Sequence, residues 1–72
     1  MQRPVPPNTH TIELDLSDEN YRYICALDAD GECLGIIADL TSYTKAEALA
    51  KKLAKTHNLP LKTRDVPTPL GE

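Results

Sequence analysis

Polar and apolar residues near the start of the chain alternate in a way that predicts a β-strand. From Thr11 to Leu16 every second residue is apolar, and Glu13 and Asp15 occupy positions between them. Successive side chains of a strand point to opposite faces of a sheet, so one face of this strand is expected to be buried and the other wet. We therefore interpret the two carboxylates as a solvated pair rather than as a catalytic acid and base.

A β-hairpin is predicted next. The segment 21–27 follows the polar turn residues 17–20 and is rich in aromatic and β-branched residues, which favour strands. The sequence from Asp28 to Gly31 fits a type I turn followed by a glycine in the left-handed conformation, which is a common hairpin loop. This interpretation is favoured over a calcium loop, which needs about 12 residues between two helices.

Uninterrupted pairing from this loop sets Leu27 opposite Cys33 and Tyr23 opposite Ile37. One hairpin face is then apolar and suited to a helix, with Ile24, Ala26, Leu34, Ile36, Ala38 and Leu40. The other face is apolar as well; we call it the tyrosine face, and it comprises Tyr21, Tyr23, Cys25, Leu27, Cys33 and Ile37. A single helix covers one face only. Unless the ends of the chain cover the tyrosine face, we expect it to bind another protein, most simply a second copy.

The spacing of apolar residues predicts a helix over 44–57, with a capping box formed by Thr44 and Glu47 and a stop at Asn58. Its apolar face comprises Ala46, Leu49, Ala50, Leu53 and His57. The segment 61–66 could add a short edge strand. We therefore expect an α+β fold in two layers, with a three-stranded antiparallel meander packed on one α-helix.

The ends of the chain are interpreted separately. Residues 1–9 carry three prolines and are expected to form a flexible arm, residues 10–66 a single domain, and residues 67–72 a flexible tail. The 72 residues leave no room for a separate cofactor domain. No apolar run approaches the roughly 20 residues that span a bilayer, and no signal-peptide pattern opens the sequence. We expect a cytoplasmic protein whose two cysteines stay reduced.

Charge is divided unevenly along the chain, although the net charge is only −3. Residues 13–39 include eight acidic residues and one basic residue, and residues 45–64 include six basic residues and one acidic residue. The division predicts two charged surfaces. The acidic surface could bind a basic partner, and it comprises Asp15, Asp18, Glu19, Asp28, Asp30, Glu32 and Asp39. The lysine face could bind a phosphate backbone, and it comprises Lys51, Lys52, Lys55, Lys62 and Arg64.

The two cysteines share the tyrosine face and could form a metal or redox pair. Zinc would need two further thiol or imidazole ligands, whereas His10 precedes the first strand and His57 belongs to the helix. We interpret Cys25 and Cys33 as apolar members of the sheet face. The sequence predicts no metal, no cofactor and no catalytic activity.

Part of the chain resembles known small proteins. The segment 21–57, with a Tyr-x-Tyr strand, an Asp30-Gly31-Glu32 turn and a helix opening at 43–48, resembles bacterial proteins of unknown function built from strand-strand-helix units. The helix opening is also similar to that of arm-binding domains of phage-type integrases, whose sheets are basic where this one is acidic. Size and acidity resemble those of phage-encoded inhibitors of host defence nucleases, including anti-CRISPR proteins. That resemblance implies stoichiometric binding in which carboxylates occupy a site made for nucleic-acid phosphates.

These features predict a small non-enzymatic protein-binding module. It would form a homodimer through the tyrosine face and use the acidic surface to inhibit a nucleic-acid-binding host factor. The alternative is a nucleic-acid-binding accessory module that uses the lysine face.

Overall fold

The computed structural model describes residues 2–18 and 20–64. The elements along the chain are the strands β1 (Thr11–Asp15), β2 (Arg22–Leu27) and β3 (Cys33–Leu40), the helix α1 (Tyr43–Thr56) and the strand β4 (Leu61–Arg64). The strands form one sheet in the order β3-β2-β1-β4, and α1 packs on one of its faces. Among the described residues, no helix has the length and apolar character needed to cross a bilayer.

The predicted two-layer α+β fold with one helix is confirmed, but the sheet is not a purely antiparallel meander. β1, β2 and β3 are antiparallel neighbours, whereas β4 lies parallel to β1. The helix carries the chain over the sheet from β3 at one edge to β4 at the other, and a crossover of this kind joins parallel strands. As a result, β1 is an interior strand.

The core lies between α1 and the sheet. Ile12 and Leu14 of β1 and Ile24 of β2 are fully buried there. They pack in one cluster with the buried helix residues Ala46, Ala50, Leu53 and Ala54. Burial of each large aliphatic side chain contributes about 1.5–3 kcal/mol to stability. The predicted core face of β1 is thus confirmed, whereas His57, predicted on the apolar face of the helix, is exposed at the C-cap.

The N-cap of the helix lies two residues before the predicted cap, Thr44. The side chain of Ser42 accepts a hydrogen bond from the backbone N–H of Lys45 at 3.3 Å, so Ser42 is the N-cap and Thr44 lies inside the first turn. At the other end Asn58 has a positive φ of 54°, and the N–H of Leu59 donates to the carbonyl of Ala54 at 2.8 Å. This is the left-handed helix termination that the sequence predicts at Asn58.

The hairpin loop forms as predicted, but the pairing of β2 with β3 shifts beyond it. Gly31 has a φ of +83°, and Leu27 pairs with Cys33. After that pair the register slips twice, so that Ala26 pairs with Gly35 and Ile24 pairs with Ala38. Each slip is a bulge, in which two residues of one strand oppose one residue of the other. The predicted pairing of Tyr23 with Ile37 is therefore wrong, and Tyr23 pairs with Asp39.

The bulges exchange residues of β3 between the two sheet faces. Ile37, predicted on the tyrosine face, is only 1% exposed and belongs to the core. Leu34 and Ile36, predicted beneath the helix, are exposed instead. The physical reason is the period of two along a strand, because each inserted residue moves the following side chains to the other face.

Residues 2–9 lie against the sheet. The N–H of Arg3 donates to the carbonyl of Ile37 on β3 at 2.7 Å, and the N–H of His10 donates to that of Leu27 at 2.7 Å. Val5, between these two points, packs against the core. The segment predicted as a flexible arm is therefore hydrogen-bonded to the sheet, whereas the predicted tail 67–72 lies outside the described residues.

Candidate binding surface on the sheet

The sheet face opposite α1, here called the open face, is built from three rows of side chains that run across the strands. The first row comprises Arg64, Asp15, Tyr23 and Asp39. The second row comprises Lys62, Glu13, Cys25 and Ile36. The third row comprises Thr11, Leu27 and Cys33. Charge thus concentrates on β1 and β4, and apolar groups concentrate on β2 and β3.

Large apolar side chains remain exposed on this face. Tyr21, which precedes β2, is 43% exposed, and Ile36 on β3 is 46% exposed. The rings of Tyr21 and Tyr23 are neighbours, with centroids 6.2 Å apart and planes tilted by 32°. Aromatic and branched aliphatic groups presented together are typical of a surface that another protein covers.

The predicted tyrosine face is reproduced only in part. Tyr21, Tyr23 and Cys33 reach the surface, whereas Cys25 and Leu27 share the open face but are buried. Ile37 leaves the set, and Ile36 takes its place because of the bulge between them. Gly35 is the sequence signal for this irregularity, since a glycine inside a strand often marks a bulge.

Three acidic residues surround Tyr23. Burial raises the pKa of the Tyr23 hydroxyl, and the negative charges of Asp18, Asp39 and Asp15 raise it further. Each negatively charged carboxylate disfavours loss of the phenol proton, because that loss would place another negative charge close by. The apolar end of the open face is therefore bordered by carboxylates; we call Asp15, Asp18 and Asp39 the acidic rim.

The acidic residues predicted as one surface form two groups. Asp28, Asp30 and Glu32 lie in the hairpin loop at the far end of β2, about 16 Å from Tyr23 at roughly 3.3 Å per residue. Glu19 lies outside the described residues.

Some of these carboxylates hold turns together. Asp28 accepts hydrogen bonds from two backbone N–H groups of its own loop at 2.9 and 3.0 Å. Asp15 accepts one from the N–H of Ser17 at 2.9 Å, and Asp18 accepts two from the residues that lead into β2. These bonds are typical of aspartate in turns, so they give the acidic residues a structural role as well.

The lysine face is divided between the two layers of the fold. Lys51, Lys52 and Lys55 are exposed on α1, and Lys51 lies 3.9 Å from Glu47. The other two cations, Lys62 and Arg64, lie on the open face. Leu61 of the same strand packs against the core, and side chains alternate between the two faces along a strand. The sheet therefore separates the helix lysines from the β4 cations.

The open face also brings three metal-ligating groups together. A carboxylate oxygen of Glu13, a carboxylate oxygen of Asp15 and the sulfur of Cys25 all lie within 4.8 Å of one another. Glu13 is only 6% exposed, so the prediction that it is solvated is wrong. The reason is that β4 pairs with β1, which would be an edge strand in a three-stranded meander.

The thiols of this face have different surroundings. Both cysteines are free; Cys33 is exposed and Cys25 is 5% exposed. Burial is the largest cause that raises the pKa of the Cys25 thiol to about 12; the nearby thiol of Cys33 and the carboxylates of Asp15 and Glu13 add to its effect. Cys25 is thus a protonated thiol at neutral pH.

In comparisons with known proteins, no protein-family model, no curated protein and no solved structure matches the chain. Its function is therefore inferred from the chemistry of its own surface.

Proposed function

We propose that this protein is a small non-enzymatic protein-binding module, and that the exposed part of the open face is its binding surface. The observation that carries the proposal is the exposure of Tyr21 and Ile36 on either side of Tyr23. Complete burial of Ile36 by a partner would contribute about 1 kcal/mol, since about half of a burial gain of 1.5–3 kcal/mol remains to be made.

The acidic rim favours a partner that carries lysine or arginine next to an apolar patch. Carboxylates at the margin of an interface steer association and select against acidic partners. A basic surface made for nucleic-acid phosphates has this chemistry, so we further propose stoichiometric inhibition of a nucleic-acid-binding protein.

In the absence of a basic target, a second copy of the chain is the simplest occupant of the same face. A two-fold axis parallel to the strands, placed between β1 and β2, sets β4 of one copy against β3 of the other. In the first row, Arg64 of one copy then faces Asp39 of the other, and Asp15 faces Tyr23. Opposite charges thus meet where Arg64 faces Asp39. In addition, a domain of this size gains stability by covering an apolar surface.

Affinity capture with two matched variants tests the proposal. Ile36→Asp places a charge in the middle of the exposed patch, and Ala48→Asp places the same charge on the exposed side of α1. We expect a partner, either a second copy or a basic protein, to be retained at one-to-one stoichiometry by the wild type and by Ala48→Asp but not by Ile36→Asp. Equal retention by all three chains would show that the open face is not the binding surface.

A further inference from the structure

Glu13 is buried on the open face and has no partner among the residues that the structure describes. Only 6% of the surface of Glu13 is exposed to solvent. Among residues 2–18 and 20–64, no hydrogen bond and no ion pair reaches its carboxylate at bonding distance. Lys62 is its neighbour in the register of β4, yet it makes no ion pair with Glu13. An unpaired carboxylate in such a place costs stability unless a cation compensates its charge.

The two other groups beside this carboxylate are also metal ligands. Asp15 follows Glu13 by two residues on β1, so both side chains point to the same face. Cys25 is directly opposite Glu13 on β2. The pairing of two central strands thus fixes three ligand atoms within 4.8 Å of one another.

We propose that Glu13, Asp15 and Cys25 bind a Zn²⁺ ion. Zinc accepts sulfur at about 2.3 Å and carboxylate oxygen at about 2.0–2.2 Å, which sets tetrahedral ligand atoms roughly 3.3–3.8 Å apart. Side-chain rotations that move a ligand atom by at most about 1.5 Å close a spacing of up to 4.8 Å to that range. A thiolate beside two carboxylates favours zinc over Mg²⁺ or Ca²⁺, which prefer oxygen ligands alone.

Binding exchanges one bond for another at Cys25. The S–H bond breaks, the proton leaves to solvent, and the sulfur forms a bond to zinc without any change of oxidation state. The two carboxylates and the thiolate carry three negative charges, which the ion reduces to one. Solvent water would complete the coordination, because Cys33 lies outside the group of three.

The test uses the full chain, first treated with a chelator and kept reduced, and titrated with Zn²⁺ in a calorimeter. We expect one ion per chain and a rise in the melting temperature at saturating zinc. Co²⁺ at the same site should give tetrahedral d–d absorption together with a sulfur-to-cobalt charge-transfer band. Absence of any zinc-dependent shift in melting temperature would overturn the proposal.

Three variants assign the ligands. Glu13→Gln keeps the shape of the side chain and removes its charge, so we expect it to raise the melting temperature without zinc and to weaken zinc binding at least about tenfold. Cys25→Ala should abolish the charge-transfer band. Cys33→Ser, the control at the neighbouring thiol, should keep the one-to-one stoichiometry and the charge-transfer band. Loss of binding in Cys33→Ser with full binding in Cys25→Ala would show adventitious binding at the exposed thiol and overturn the proposal.

Discussion

At the scale of single residues, burial gives chemically similar side chains different roles. Cys25 and Cys33 are both thiols on the open face, but only Cys33 is open to solvent. Glu13 and Asp15 are both acidic residues of β1, but Asp15 holds a turn while Glu13 lies buried and unpaired within the described part of the chain. The alternation along β1 predicts the face of each residue correctly. It does not predict exposure, which depends on the strand that lies alongside.

Alkylation should distinguish the two cysteines. Only the thiolate reacts with iodoacetamide, so the burial and raised pKa of Cys25 should protect it near pH 8. We expect mass spectrometry to show one modified residue, Cys33, in the folded chain and two in denaturant. Modification of Cys25 as fast as Cys33 in the folded chain would contradict its assigned burial.

Stability should fall at alkaline pH because of Cys25. The folded chain holds the thiol proton up to a pKa of about 12, whereas the unfolded chain releases it near 9.0. The unfolded state therefore binds fewer protons between these values, and the free energy of unfolding decreases as pH rises through them. Tyr23 has a raised pKa and contributes with the same sign. Urea unfolding at several pH values should show a shallower decrease in Cys25→Ala than in the wild type.

At the scale of elements, local patterns predict β1, the hairpin loop and the helix, because turn chemistry and periodicity are properties of neighbouring residues. The left-handed Gly31 and Asn58 follow from this local chemistry. Two features have another origin. The bulges of β3 place Ile37 in the core beneath α1, and the pairing of β4 with β1 depends on a crossover between distant parts of the chain. Both features shape the candidate site: a bulge places Ile36 on the open face, and the pairing of β4 with β1 accompanies the burial of Glu13. Local sequence patterns therefore do not predict these two residues in the site.

The helix cap offers a test at this scale. Ser42→Ala removes the side-chain acceptor for the N–H of Lys45 and should lower the free energy of unfolding by about 1 kcal/mol. Thr44→Ala, in the first turn rather than at the cap, should change it by less than about 0.5 kcal/mol. Urea denaturation of the two variants measures both values. A larger effect at Thr44 would restore the capping box that the sequence predicts.

At the scale of the whole molecule, the position of each charge in the layers matters more than the net charge. The helix lysines and the β4 cations belong to opposite sides of the sheet, so a phosphate backbone cannot follow all five. The acidic residues likewise form two groups at opposite ends of β2. The open face combines exposed apolar groups with a charged border.

Binding to DNA should accordingly be weak. We expect retention of a labelled duplex only at low salt, with loss of binding well below physiological ionic strength, because few phosphates are neutralised at once. The double variant Lys51→Glu with Lys52→Glu should have little further effect at physiological salt. Tight binding that this variant abolishes would favour the nucleic-acid module over the protein-binding module.

Sedimentation equilibrium tests the central claim, that the open face pairs with a second copy of the chain, most directly. The wild type and Ala48→Asp should sediment with twice the mass of the 8.0 kDa chain, and Ile36→Asp should sediment as a monomer with an unchanged circular dichroism spectrum. A monomeric wild type, or a dimer that survives Ile36→Asp, would contradict the claim.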